Sequence, residues 1–187
     1  MIRTFIGIPI PPSESIITLQ HTLKKLLPNS RIAWTEPSNF HITLKFIGDT
    51  EDYYINAISL ALKNVAETTE TFSLETSGFG YFGSKSRPRI VWYGFKNNEM
   101  LINLHKGIED CMLDVGFERE DREFNAHITL GRIKYLGEKV AFKQFCEETQ
   151  IYKEQKILIN AFVFYQSILK QEGPIYKPLE TFPLQQD

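Results

Sequence analysis

The tetrapeptide His-Ile-Thr-Leu occurs twice, at His41–Leu44 and at His127–Leu130, in a chain that has only 4 histidines among 187 residues. A given His is followed by Ile-Thr-Leu by chance on the order of once in several thousand, on equal residue frequencies. Each copy reads as a β-strand. Side chains alternate between the faces of a strand, so His41 and Thr43 share one face while Ile42 and Leu44 share the other. His127 with Thr129, and Ile128 with Leu130, repeat the arrangement. The fold must therefore bury two aliphatic strand faces and present, from two distant segments, an imidazole beside a hydroxyl. If the two halves face each other, they make one site.

The flanking sequence repeats an order of elements. A strand over Arg3–Ile10 is closed by Pro11 and Pro12. A helix over Ser13–Leu27 follows, with Ile16, Leu19, Leu23 and Leu26 at helical spacing, Ser13 as N-cap and Pro28 as the stop. The first motif strand runs Phe40–Ile47, and a helix over Glu51–Ala66 carries an apolar stripe of Tyr54, Ile58, Leu62 and Val65. Strands over Phe72–Phe82 and Arg89–Phe95 are joined by a basic turn from Gly83 to Pro88. A helix over Glu99–Val115, stopped by Gly116, precedes the second motif strand, Ala126–Ile133. A short helix over Val140–Glu148, a long apolar strand over Lys156–Ile168 and a last strand over Ile175–Leu179 complete the reading. Strand, helix, motif strand, helix thus occurs twice. The spacing is too long for a solenoid repeat, and no linker rich in Pro, Gly or Ser separates the copies. The expectation is a duplication: one domain over residues 1–187, made of two α+β lobes related by a pseudo-twofold axis, each carrying one motif.

Composition narrows the partners. Hydrophobic residues make up 42% and charged residues 24%, the profile of a soluble globular chain. A net charge of −2 supplies no overall basic field for long nucleic acid, so a nucleic-acid partner would be met at an end or at a single nucleotide. Cys111 and Cys146 fall in amphipathic helices without a CxxC pair and read as buried, reduced thiols. The apolar opening Phe5–Ile10 is short, and no run is long enough to span a bilayer. A cytoplasmic protein is expected, and a monomer, since no coiled coil or interaction tail is visible.

Two imidazoles on one cavity suit a reaction that removes a proton at one end and delivers one at the other, each transfer worth roughly 10²–10⁴ in rate. A phosphodiester is the matching substrate, because the attacking oxygen must lose a proton and the leaving oxygen must gain one. Thr43 and Thr129 can donate to non-bridging phosphate oxygens without adding charge beside a histidine. A cation is also wanted. Arg132 lies just past the second motif, but strict alternation puts residue 131, not 132, on the face of His127 and Thr129. Arg132 reaches the site only if Gly131 breaks the alternation, as a bulge does. The basic turn with Lys85, Arg87 and Arg89 is the other source. Neither a metal nor a cofactor is expected, since zinc sites usually take three protein ligands and carboxylates near the two His are few. Trp34 reads as packing or as a base-stacking ring. Phe5 and Phe82 read as core, Lys45 as a solvated strand end with the parity of His41, His21 as exposed, and His105 as marginal to its helix core.

These residues carry a family resemblance. Arg31-x-x-Trp34-x-x-Pro37-x-Asn39-x-His41-x-Thr43-Leu44-x-Phe46-x-Gly48 resembles the first signature of bacterial and archaeal RNA 2′,3′-cyclic phosphodiesterases, members of the 2H phosphoesterase superfamily. The likeness continues through Arg3-x-Phe5, Gly78-Phe79-Gly80-x-Phe82, Pro88-Arg89-x-Val91-Trp92, His127-x-Thr129-Leu130-x-Arg132, Ser167 and Tyr176-x-Pro178-Leu179. It implies a bilobal α+β fold with two antiparallel-rich sheets flanked by helices around a central cleft. It implies metal-independent hydrolysis of the 2′,3′-cyclic phosphate at RNA 3′ ends to a 2′-phosphate, with RNA ends or cyclic nucleotides as substrates. By that likeness His41 protonates the departing 3′ oxygen and His127 takes a proton from water. Thr43, Thr129 and Arg132 hold the phosphate. Relatives usually carry Pro before the second His, where this chain has Ala126, so a looser strand entry is expected there. Two other readings stay open: a non-catalytic module that grips nucleotide or RNA phosphate ends, and the same chemistry on another cyclic nucleotide or in 2′–5′ RNA ligation.

Overall fold

The computed structural model describes residues 1–148, 155–171 and 173–186. Its elements, in chain order, are β1 (Ile2–Pro9), α1 (Glu14–Leu26), β2 (Arg31–Trp34), a 3₁₀ turn (Pro37–Asn39), β3 (His41–Thr50), α2 (Asp52–Glu67), β4 (Phe72–Ser84), β5 (Arg87–Phe95), α3 (Glu99–Val115), β6 (His127–Tyr135), α4 (Lys139–Glu148), β7 (Lys156–Ile159), β8 (Ala161–Lys170) and β9 (Gly173–Pro183). The helices begin and end where local chemistry dictates. Ser13 Oγ accepts from the Ile16 amide at the start of α1. The Asn98 side chain does the same for Leu101 at the start of α3, and Gly116 closes α3 in the left-handed conformation (φ 107°).

The apolar run Lys156–Ile168, expected as one strand, breaks at Asn160 into β7 and β8. Before the break the chain pairs with β4; after it, with β1 and β9. Both pieces face the core, so hydrophobic periodicity carried no mark of the break. The short strand β2 and the 3₁₀ turn were not foreseen, since four residues are too few to show a period.

The strands pair antiparallel in the order β7-β4-β5-β6-β3-β1-β8-β9, with β2 added on β6. The two motif strands, β3 and β6, lie next to each other at the centre and pair through Ile42 opposite Ile128. On either side stand the expected antiparallel sheets, here halves of one network joined at that pair. The chain just before β4 also meets the chain just after β9: Thr71 N–H donates to Gln185 O and Gln185 N–H to Thr69 O, each at 2.9 Å.

Helices brace the motif strands crosswise. On α1, the buried Gln20 side chain donates to Leu130 O of β6 (3.0 Å) and to Thr35 O (2.8 Å). On α3, the buried Glu109 carboxylate takes both its oxygens to Lys45 Nζ of β3, each at 2.9 Å. Lys45 is therefore not the solvated strand end that alternation suggested: it is 1% exposed. The reason is a bulge. Against β1, Phe46 pairs with Phe5 and Lys45 with Ile6, but Gly7 pairs with Thr43, leaving Leu44 as an extra residue. Leu44 and Lys45 both turn inward and parity flips beyond them. Ile6, Ile8, Ile42, Leu44, Ile128 and Leu130 meet Leu19, Leu23, Leu62 and Leu104 in one buried cluster. Among the described residues no helix is long and apolar enough to cross a membrane.

Candidate active site

β6 repeats the bulge of β3. Against β5, Thr129 pairs with Trp92 and Gly131 with Val91, so Leu130 is the extra residue. Leu130 and Gly131 are both buried, and Arg132 returns to the face of His127 and Thr129. The condition that the sequence placed on Arg132 is met, and the alternation problem disappears. Gly131 has a second use: a Cβ there would come within 2.8 Å of Ile32 Cγ2 and 2.9 Å of Trp34 Cε3, so its bare backbone lets Trp34 lie against β6.

Register sets the geometry of the four motif side chains. With Ile42 opposite Ile128 in an antiparallel pair, the same ladder places His41 across from Thr129 and Thr43 across from His127. The two histidines are then diagonal neighbours on one face, with Cα atoms about 7–8 Å apart on a regular ladder.

Each imidazole is held the same way. His41 Nδ1 lies 2.7 Å from Asn39 O, and His127 Nδ1 lies 2.6 Å from Asn125 O. A carbonyl can only accept, so each Nδ1 carries the proton and each Nε2 is left for chemistry, a base when neutral and an acid when charged. Strand entry is anchored alike as well: Ile10 N–H donates to Phe40 O (2.9 Å) and Phe95 N–H to Ala126 O (3.2 Å). Ala126 thus starts its strand with the same main-chain contact as the residue before the first His.

Aromatic rings fix the imidazole planes. His41 lies between Phe5 and Tyr176, both at 5.0 Å, with Tyr176 edge-on. His127 stands edge-on to Phe82 at 4.8 Å, with Trp92 behind it. Gly7 opens the space for the first ring, since a Cβ would meet His41 Cδ2 at 3.3 Å and Ile42 O at 2.9 Å. Burial pushes both imidazoles below the ordinary histidine pKa, and the positive charge of Arg132 pushes in the same direction, while their carbonyl partners oppose the shift. For His41 the neighbouring His127 adds to the lowering.

A cavity of ≈ 440 Å³ opens on this face. Arg3, His41, Thr43, Thr129, Arg132 and Tyr176 are among its lining, together with Trp34, Phe46 and Ser167. His127 is not part of that lining; it stands beside it on the same face of the β3–β6 pair. Sequence reasoning missed Arg3, Tyr176 and Ser167 as lining residues, and took Phe5 and Phe82 for plain core. Phe46 fills on β3 the position that Arg132 fills on β6, and the Arg3 guanidinium sits over its ring at 4.8 Å. The signal for Arg3 was its parity with Phe5 on β1. Apart from its place in the closing Tyr176-x-Pro178-Leu179 likeness, no local signal pointed to Tyr176, which Asn39 helps to place by donating to Pro174 O (2.9 Å). The basic turn does not reach this cavity: Arg87 and Arg89 line a separate groove. Among the described residues no three His, Cys, Asp or Glu side chains cluster as a metal site would require. Cys111 and Cys146 are half-buried free thiols pushed up to about 11 by burial.

Comparison with known proteins places the chain and its fold. A family model described as LigT like Phosphoesterase matches residues 6–92 and 96–176. The RNA 2′,3′-cyclic phosphodiesterase of Thermotoga maritima is 32% identical over 95% of this chain and 92% of its own length. The protein of that name from Archaeoglobus fulgidus is 34% identical over 86% of this chain and 88% of its own. The crystal structure of E. coli LigT complexed with 3′-AMP superposes with a TM-score of 0.74 at 23% identity, covering 99% of both chains, and so shares the fold. On the match to both halves of its sequence, this chain belongs to the LigT-like phosphoesterase family.

Proposed function

We propose that this chain hydrolyses the 2′,3′-cyclic phosphate at RNA 3′ ends to a 2′-phosphate, by acid–base catalysis with two histidines and without a metal ion. One observation carries the reading: two imidazoles on one face of adjacent strands, each with Nδ1 committed to a carbonyl and Nε2 free. The names of the relatives support the substrate. The two-lobed single domain belongs to the same reading, with each lobe contributing one His-Thr pair.

Water attacks phosphorus as His127 Nε2 takes its proton. The bond from phosphorus to the 3′ oxygen breaks, and His41 Nε2–H protonates that oxygen. The products are a 2′-phosphomonoester and a 3′-hydroxyl, and proton exchange with solvent resets the two rings. Thr43 and Thr129 donate to the non-bridging oxygens, and the Arg132 guanidinium offsets the charge that builds on them. Trp34, on the cavity wall, offers a face to the terminal base. Burial favours a neutral His127, as a base requires. It disfavours a charged His41, so the anionic phosphate itself must draw the acid's proton into the site.

The test is turnover of a cyclic-phosphate-ended oligonucleotide in EDTA, with the product's phosphate position read by phosphorus NMR. The 2′-phosphate is expected. Absence of turnover, or turnover only on adding metal ion, would refute the mechanism, and a 3′-phosphate would reverse the roles of the histidines. His41→Ala and His127→Ala should each cost ~10² or more in rate in a folded protein. Tight binding of RNA ends without hydrolysis would favour a non-catalytic module.

A further inference from the structure

A second cavity, of ≈ 390 Å³, lies between the β4–β5 hairpin and the stretch from β6 into α4. Its lining includes Arg87, Arg89, Lys134 and Lys139 and no Asp or Glu. Four cations in one groove stand out in a chain whose net charge is −2. None of the four takes part in an ion pair among the described residues. The carboxylate next in sequence, Glu138, is turned away: it accepts from the Asn29 amide (2.7 Å) and from Ser30 Oγ (2.6 Å). Like charges left together without counter-ions repel, and the usual occupant of such a groove is an anion.

Position says which anion. β6 is shared between the two cavities: Thr129 and Arg132 line the catalytic one, and Ile133 to Leu136 line the groove. Arg132 and Lys134 are two strand residues apart, roughly 6.5 Å, the scale of one nucleotide step. Tyr135, at 53% exposed, also lines the groove and offers a ring to a base. A strand whose cyclic end sits at the histidines and whose chain runs past Arg132 enters this groove next. We infer that the groove binds the single-stranded RNA immediately 5′ of the cyclic end, with Arg87, Arg89, Lys134 and Lys139 on its phosphates and Tyr135 against a base.

This inference rests on the proposed reaction, and two substrates separate the failure of one from the failure of the other. In the full chain, the triple variant Arg87→Gln/Arg89→Gln/Lys134→Gln is assayed on a cyclic mononucleotide and on a cyclic-phosphate-ended decanucleotide. KM for the decanucleotide should rise about 10-fold or more, with the mononucleotide's kcat/KM within about twofold of wild type. Binding of a decanucleotide with a plain 3′-hydroxyl, followed by anisotropy against salt, needs no catalysis. Loss of three phosphate contacts should flatten its log–log salt slope by about 2. Tyr135→Leu should weaken the same binding without changing the slope. An unchanged KM and slope, or equal losses on both substrates, would overturn the groove's role. So would competition by poly-glutamate as effective as by RNA, which would mark an acidic-protein docking face. If wild type turns over neither substrate, the proposed reaction fails, and the anisotropy arm still decides the groove.

Discussion

The buried Lys45–Glu109 pair allows a quantitative test of how the motif strands are held. Lys45 Nζ donates to both Glu109 oxygens at 2.9 Å and to Glu118 O at 2.8 Å, and the two side chains are 2% and 6% exposed. In Lys45→Met the stem is replaced by one of similar shape while the charge is lost. Glu109 then keeps the Glu120 amide at 3.2 Å and the His105 imidazole at 3.9 Å, neither a permanent cation. Leaving one charge of a buried pair without its partner costs about 3–5 kcal/mol. For a chain of this length, each kcal/mol moves Tm by roughly 2–4 °C, so a fall on the order of 10 °C is expected. Removing both charges, in Lys45→Met/Glu109→Leu, should recover most of the loss, because an apolar pair of similar volume carries no desolvation penalty. The assay is urea or thermal unfolding of wild type, both singles and the double, analysed as a cycle. A single-variant cost below about 1 kcal/mol, the range of exposed pairs, would refute the inward bulge. Activity on a mononucleotide at a temperature well below Tm should change little in either variant, since Lys45 points away from the cavity.

The same geometry fixes other outcomes. His41 and His127 are held below their ordinary value of 6.5 in the folded protein, so the unfolded chain binds more protons than the folded one just below that pH. Their contribution to stability is complete above pH 6.5 and falls as pH drops through the folded pKa values. Unfolding free energies at about pH 7.5 and 5.5 should show this, and His41→Ala/His127→Ala should flatten the difference; an unchanged slope would mean the rings are not desolvated. Phosphate binding to the free protein should raise both histidine pKa values, read by NMR titration, with no shift counting against a shared anion site. Arg132→Met should lower kcat/KM by ~10–200-fold, the worth of a hydrogen bond to a charged group, and Arg132→Lys should restore part of it; equal activity in all three would remove Arg132 from the site. Gln20→Leu leaves the Thr35 and Leu130 carbonyls without their side-chain donor and should cost about 1–3 kcal/mol in urea unfolding.

Much of this protein was legible without a structure. The repeated motif put each histidine on one face with its threonine, because period-two alternation holds over the first three residues of each motif strand and a short pattern is enough to read it. Helix ends at Ser13, Asn98 and Gly116 rest on local hydrogen bonds and backbone freedom, and Ser13 and Gly116 were read correctly from the sequence for that reason. Alternation ceased to be a guide at Leu44 and Leu130. A bulge inserts a residue in answer to the neighbouring strand, and no feature of the strand's own sequence required it. Lys45 was therefore read outward when it is buried, while Arg132 stayed conditional until β5 was seen to pair across Leu130. The split of the apolar run at Asn160 escaped for a like cause, since both halves send apolar side chains into the core, Ile159 from one and Phe162 and Phe164 from the other, and their choice of partner strands separates them. Which residues can serve as acid and base is written in the chain as chemistry; that both histidines stand on one face of adjacent strands, His41 in a cavity with Tyr176 and Arg3 and His127 beside it, with a basic groove beyond Arg132, is decided by strand register, a long-range property that exists only once distant segments have paired.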